Sequence, residues 1–338
     1  MSEMEKIVLF GKNHYQYNGF DINKYIYHDA IIQENVIYIE PKASVWDRYL
    51  NFFFTNEYGI AFRKKLFLPF RKTAFRALLH KASVLRKKDC NIFVFFYAEP
   101  WFFDEKGFLA YLRHRYSDAR LVYHITNTVQ NIQHGAAYYK KYFDLVSTCN
   151  KGDSEKHDLP FFANTCSYIP FRDNEELKSD CFFVGHAKNR LNDLVAIFEI
   201  LTRKGVQCEF YIIGVNEEHR PYDGSIHYNQ VLNYDVILRK IEKTNVILEL
   251  LQEGMDSQTL RYSEAVNYRK KLLTNNRNVV NELSYSAHNI HVIASPDDVS
   301  EINTAFFKTS IEEEYPNSDS TSSRNFLSFI RKHIELPM

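Results

Sequence analysis

Short continuous apolar runs alternating with amphipathic stretches set the pattern of the first half of the chain. Ile7–Gly11, Asn35–Glu40 (NVIYIE), Asn91–Ala98 (NIFVFFYA), Ala119–Ile125 (ARLVYHI) and Asp144–Thr148 (DLVST) read as strands. An unbroken apolar run such as NIFVFFYA suits a strand buried on both faces. Helical patterns lie between them at 44–88, broken at Pro69, and at 103–116 and 129–141. Strands alternating with helices predict βαβ units and a parallel sheet.

A second cycle begins at Asp180–Gly185 (DCFFVG), with a helix from Leu191 to Lys204 that Gly205 stops. Cys208–Gly214 (CEFYIIG), a link at 226–231, a helix at 233–243 and the strand Asn245–Leu251 (NVILELL) follow. A helix from Thr259 to Arg269 and the strands Lys271–Thr274 and Ile290–Ala294 complete the series. The two cycles meet near 160–178, around Pro160 and Pro170. The expected architecture is α/β: two doubly wound, Rossmann-like domains, 1–165 and 166–315, facing a cleft. A polar linker (Glu312–Ser323) leads into an amphipathic helix over Ser323–Glu335 in the C-terminal segment 316–338, and that helix is expected to pack back on the first domain.

Composition narrows the function. At roughly 100–200 residues per domain, 338 residues is about two domains. A hydrophobic fraction of 45% with 15% aromatics excludes a disordered chain. Lys+Arg and Asp+Glu both number 42, and this neutrality argues against nucleic acid as a partner. Only 11 glycines are present, and no GxGxxG follows a predicted strand, which argues against a dehydrogenase. Five dispersed cysteines without a CxxC pair or a Cys/His cluster suggest no metal site and a reducing cytoplasm. The N-terminus lacks a signal-peptide h-region, and no apolar run approaches the length of a membrane span. The stretch 60–89 carries ten Lys/Arg and one acidic residue among Phe and Leu. It reads either as a solvated helix face or as a contact for an anionic membrane surface at the inner face of the cell membrane.

Ligands of open α/β sheets bind beyond the carboxyl ends of the strands, at helix N-termini. After Gly185 comes His186-Ala187-Lys188-Asn189-Arg190, leading into a helix. Gly185 permits close backbone approach, and Lys188 and Arg190 suit phosphate oxygens; the other reading is an ordinary solvated loop. After Leu250–Gly254, Ser257 or Thr259 is placed to cap the next helix, whose free N–H groups attract anions. Arg261 in the first turn opposes the helix dipole and so requires a reason, such as a bound diphosphate. Glu264 is placed to accept hydrogen bonds from two ribose hydroxyls, or else to form an i,i+3 surface pair with Arg261.

The runs FFVGHAKNRL, CEFYIIG, NYDVILRKIEKTNVILELLQEG and TLRYSEAVNYRKKLLTNN occur in that order over 180–276. Together they resemble GT-B glycosyltransferases, in particular the bacterial lipopolysaccharide and capsule group related to the CgeB-like enzymes. Thr259, Arg261, Glu264, Ala265, Lys270, Lys271, Leu273, Thr274 and Asn275 stand at the positions of that group's T-x-R-x-x-E-A and K-K-L-I-T-x-N patterns. The segment 143–162 matches more loosely.

The resemblance implies a second domain that holds a nucleotide-diphosphate sugar as donor substrate, without a metal or other cofactor. Gly185, Lys188, Arg190, Asp256, Gln258, Thr259, Arg261 and Glu264 would contact the donor. It also implies transfer of the sugar to a glycan or lipid-linked acceptor in surface-polysaccharide assembly. An inverting route needs a base near the acceptor hydroxyl. Glu99, directly after a predicted strand, is the candidate, with His14 and His124 as alternatives and Asn127 and Trp101 also on the acceptor side. Three departures stand out. Asp256 occupies the first of two acidic positions eight apart, Gln258 stands where glycine is common, and no carboxylate follows His124 up to Thr128. A non-catalytic nucleotide-binding module and a nucleotide-sugar epimerase or hydrolase are the competing readings.

Overall fold

Alternate residues of the first strand, Ile7 and Leu9 against Val8 and Phe10, belong to different apolar clusters, so this strand is covered on both faces. The computed structural model describes residues 5–11, 22–39, 76, 79, 85, 91–96, 105–116, 118–132, 134–171, 179–252 and 255–334. The chain divides into two units, Met1–Phe162 with Phe326–Met338, and Ala163–Asn325.

The first unit runs β1 (Lys6–Phe10), α1 (Asn23–Ile26), α2 (His28–Ile31), β2 (Val36–Ile39), β3 (Asn91–Phe95), α3 (Glu105–Arg115), β4 (Arg120–Ile125), α4 (Ala136–Tyr139), β5 (Leu145–Thr148) and α5 (Lys151–His157). Its strands are all parallel, in the order β2-β1-β3-β4-β5. One face packs Val8, Phe93 and Leu121 against Phe108, Leu112 and Tyr116 of α3 and its C-terminal end.

The expected helix at 129–141 is instead a 3-10 turn, Val129–Asn131, followed by the single-turn α4. Gly135, at φ +72°, separates them, because a left-handed residue cannot continue a right-handed helix. Asp153 accepts the Val129 N–H at 2.7 Å and so holds the turn. The helical pattern expected at 44–88 lies outside the described residues apart from Arg76, Leu79 and Leu85.

The second unit contains β6 (Ser179–His186), a 3-10 turn (Lys188–Arg190), α6 (Leu191–Arg203), β7 (Cys208–Ile213), β8 (His227–Tyr228), α7 (Tyr234–Glu242), β9 (Thr244–Glu249), α8 (Leu260–Asn267), β10 (Lys271–Thr274), β11 (Ile290–Val292) and α9 (Ala305–Lys308). Again all strands are parallel, in the order β11-β10-β9-β6-β7-β8. Leu194, Ile197, Phe198 and Leu201 recur at helical spacing along α6, and they are buried in one cluster with Phe183 and Phe210. Gly205, at φ +71°, ends the run, as its position in the sequence predicts.

The final helix, α10 (Arg324–His333), returns to the first unit. Phe326, Leu327 and Ile330 pack with Ile7, Ile92, Val94, Tyr27 and Phe96, the face opposite α3. Arg331 also pairs with Glu5 at 2.8 Å. Among the described residues, no helix is long and apolar enough to cross a membrane.

Candidate functional site

In the second sheet the chain leaves β6 for β7 on one side and later returns to β9 on the other. The gap beyond the ends of β6 and β9 is therefore the topological switch point, where ligands of such sheets bind. Two cations cross it. Lys188, exposed and held at φ +44°, donates from Nζ to Oε1 of Gln252 in the loop after β9. Arg190 is buried, and its Nη1 and Nη2 donate to the carbonyls of Leu250 and His186. Burial lowers the Arg190 pKa, and its Nε has no hydrogen-bond partner among the described residues.

The diphosphate contact expected of Arg190 therefore meets a guanidinium already engaged by two backbone oxygens, which clamps one strand end to the other. Gly185 leaves room for this clamp: a Cβ there would meet Phe183 at 3.3 Å and Arg190 Nη2 at 3.8 Å.

The loop after β9 leads into α8. Thr259 caps that helix, its hydroxyl accepting the Arg261 N–H at 3.0 Å and donating to Glu249 at the end of β9. Glu249 in turn accepts from the Thr274 hydroxyl at 2.5 Å, at the end of β10. Arg261 does form an i,i+3 pair with Glu264, but it is not a surface pair: the side chains are 18% and 0% exposed. The other Glu264 oxygen accepts from the Tyr234 hydroxyl at 2.7 Å. Burial pushes the pKa values of Glu249 and Glu264 up, and Arg261 opposes this for both. Arg261 in the first turn of α8 is thus balanced by a buried carboxylate one turn further on. Glu264, expected on the ribose, has no exposed surface and orients Arg261.

Gln258 and Asp256 also act on their own chain. Gln258 Nε2 donates to the Asn164 carbonyl at 2.7 Å, the Asn164 amide donates back to the Gln258 carbonyl at 3.1 Å, and Ser263 Oγ donates to the same Asn164 oxygen at 2.7 Å. The residue standing where glycine is common thus ties the start of α8 to the segment entering the second unit. Asp256 is partly buried, and its carboxylate accepts from the Ser257 hydroxyl at 3.0 Å.

In the first unit, His124 of β4 is 1% exposed, bonded through Nδ1 to Ser147 Oγ at 2.9 Å and surrounded by Phe96, Phe162 and Phe326. Burial lowers its pKa to about 3, so it is a neutral core residue without access to an acceptor. Asn127 is exposed, and its side-chain oxygen accepts the Thr128 N–H at 2.8 Å. His14, Glu99 and Trp101 lie outside the described residues, as does most of 60–89. Among the described residues, no group of three His, Cys, Asp or Glu side chains is placed to hold a metal ion.

Sequence reasoning missed Glu249 and Tyr234. A lone carboxylate inside the apolar run NVILELL is the signal that marks Glu249, since a buried charge requires partners. Tyr234 carries no comparable signal.

The sequence matches no protein-family profile, and no curated protein sequence matches it. Solved structures do. The DNA-modifying enzyme β-glucosyltransferase, solved with and without uridine diphosphoglucose, aligns over 97% of this chain and 95% of its own at a TM-score of 0.50 and 12% identity. This chain has the GT-B fold. An α-glucosyltransferase bound to UDP-glucose and DNA with an abasic site aligns over 98% and 96% of the two chains, with a TM-score of 0.48 and 10% identity. A UDP-N-acetylglucosamine 2-epimerase from Listeria monocytogenes aligns over 100% and 98%, with a TM-score of 0.45 and 9% identity.

Proposed function

We propose that this chain is a glycosyltransferase moving a sugar from a nucleotide-diphosphate sugar to a glycan or lipid-linked acceptor, in bacterial surface-polysaccharide assembly. The observation that carries the transferase reading is the convergence on one loop. Lys188 reaches Gln252 in the loop after β9, and that loop runs on to the capped N-terminus of α8 with Arg261 in its first turn. Two cations and a helix N-terminus thus flank the switch-point end of the sheet, the equipment needed to receive a diphosphate leaving group.

In the reaction the acceptor oxygen bonds to the anomeric carbon as the bond from that carbon to the diphosphate breaks, and the hydroxyl proton passes to a base, for which Glu99 is the candidate. Lys188, Arg261 and the N–H groups of α8 stabilise the charge released. Arg190 and Glu264 are positioning residues, holding the strand ends and Arg261. The surface-polysaccharide role and the anionic-membrane contact through 60–89 rest on the sequence resemblance and on the charge of that stretch.

A thermal-shift panel of UDP-glucose, GDP-mannose, dTDP-glucose and CMP-sialic acid tests the reading. A nucleotide-diphosphate sugar is expected to stabilise the protein, and the shift should shrink in Lys188→Ala. A flat panel overturns the proposal. Release of nucleoside diphosphate is then followed with and without acceptor. Lipid-linked glycan and duplex DNA serve as separate arms, because the fold neighbour described above modifies DNA. Turnover without acceptor would indicate a hydrolase or epimerase, and binding without turnover a non-catalytic module.

A further inference from the structure

His186 is the last residue of β6, exposed at the switch-point end of the sheet, and its ring takes no part in the contacts assigned above. Its backbone carbonyl receives the Arg190 guanidinium, and Lys188 follows two residues later in the left-handed conformation. On the other side its ring borders the end of β7, where Nδ1 lies 3.6 Å from the position a Cβ would take on Gly214. Gly214, at φ +82°, is held by the Asn229 side chain, which accepts the Gly214 and Val215 N–H groups at 2.7 and 3.2 Å. The imidazole thus sits over a glycine fixed in place at the end of β7, and it belongs to β6, the strand that also borders the gap Lys188 and Arg190 cross.

The charges facing it are one-sided. Its own loop contributes Lys188 and Arg190. The end of β7 contributes Gly214 and Val215, which carry no ionisable side chain, and the loop after β9 contributes Leu250, Leu251 and Gln252 among the described residues. The Glu249 carboxylate at the end of β9 is directed to Thr259 and Thr274. Burial, then Lys188 and Arg190, lower the His186 pKa and so favour the uncharged ring.

We propose that His186 contacts the diphosphate of the bound nucleotide sugar and takes up one proton from solvent as it binds. This rests on the donor-site reading given above. A diphosphate beside Lys188 offsets the part of the lowering that Lys188 and Arg190 add to that of burial, and supplies an anionic partner for the imidazolium. The sign follows: the affinity of the protein for the donor rises as pH falls toward the range where free His186 itself protonates, by at most about tenfold per pH unit for a single proton.

Isothermal titration of the full chain with UDP-glucose, GDP-mannose and dTDP-glucose tests this, at one pH in two buffers of different ionisation enthalpy. The diphosphate of these probes is esterified at both ends and does not titrate near neutrality, so a proton taken up belongs to the protein. The expected result is a binding enthalpy that depends on the buffer in wild type and not in His186→Gln. The ratio of wild-type to variant affinity should also grow between pH 8 and pH 6. Imidazole resonances of the 13 histidines supply a second measurement on unaltered protein, in which one resonance should titrate at higher pH with probe than without.

Binding with no buffer dependence in wild type overturns the proposal and leaves the donor site standing. Buffer dependence that persists in His186→Gln also overturns it. Binding of none of the three probes overturns the donor site and this inference together.

Discussion

Removing Arg261 is the most informative single change in the second unit. Arg261→Ala deletes the guanidinium that faces Glu264, whose side chain is 0% exposed, and leaves the carboxylate facing the Tyr234 hydroxyl. Breaking one side of a buried ion pair costs about 3–5 kcal/mol, because the remaining charge stays desolvated. The second unit has 163 residues (Ala163–Asn325), a size at which about 1 kcal/mol moves the midpoint by about 2–4 °C, so the expected fall in Tm is about 6–20 °C. The loss should depend on pH. The Glu264 pKa is already raised by burial, and without Arg261 it rises further. A carboxyl whose folded pKa exceeds its unfolded value gives most stability below the unfolded pKa and loses it as pH rises through the folded pKa. The variant should therefore be closer to wild type at pH 5 than at pH 7.5.

Circular-dichroism melts at both pH values, with Glu264→Gln and the double variant, form the assay. The double variant should recover at least about 1 kcal/mol relative to the sum of the single losses, the signature of a contacting pair. A shift for Arg261→Ala within about 0.5 kcal/mol, as for an exposed pair, or strict additivity in the cycle, would refute the buried network.

Phe326→Ala should cost about 3–5 kcal/mol in the first unit, since its ring is fully buried against Tyr27, Phe96 and Phe162; equilibrium denaturation with urea measures it. His124 has a folded pKa of about 3 against an ordinary value near 6.5, so its contribution is complete above about 6.5 and is lost on acidification at on the order of 1.4 kcal/mol per pH unit. Comparing acid unfolding of wild type and His124→Phe checks that slope. Gly205→Ala should cost about 1–2 kcal/mol from backbone strain alone, because a Cβ there meets nothing within 4 Å, and Gly205→Asn should recover part of the loss in the same melts. Gln258→Gly should cost about 1–3 kcal/mol and speed amide exchange of the first turn of α8, as the link to Asn164 is lost.

The strands were legible because buried parallel strands are written as local apolar runs: NIFVF, RLVYHI and TNVILE announce themselves without reference to distant residues. The cap at Thr259 was equally local. Helix α5 went unread because none of its residues is buried, and without an apolar stripe only the Asn150 cap marks it. The partners of the site residues were hidden for a different reason. Tyr234 lies 30 residues before Glu264, Leu250 lies 60 after Arg190, and Asn164 lies 94 before Gln258, so the roles of these side chains are fixed by tertiary neighbours that spacing does not reveal. The same applies to His124, where a histidine at a strand end was a natural candidate for chemistry until its aromatic neighbours were known.

The return of α10 to the first sheet sets an order of events during synthesis. Residues 163–325 form one uninterrupted unit, whereas the first unit needs segments from both sides of it. At about 5–20 residues per second, about 8–33 s of translation separate Phe162 from Phe326, and through that interval the face formed by Ile7, Ile92 and Val94 lacks its covering helix. The nascent chain therefore carries an open greasy surface while its neighbour can already mature. A release defect or a premature stop beyond residue 325 would harm the half of the protein made first.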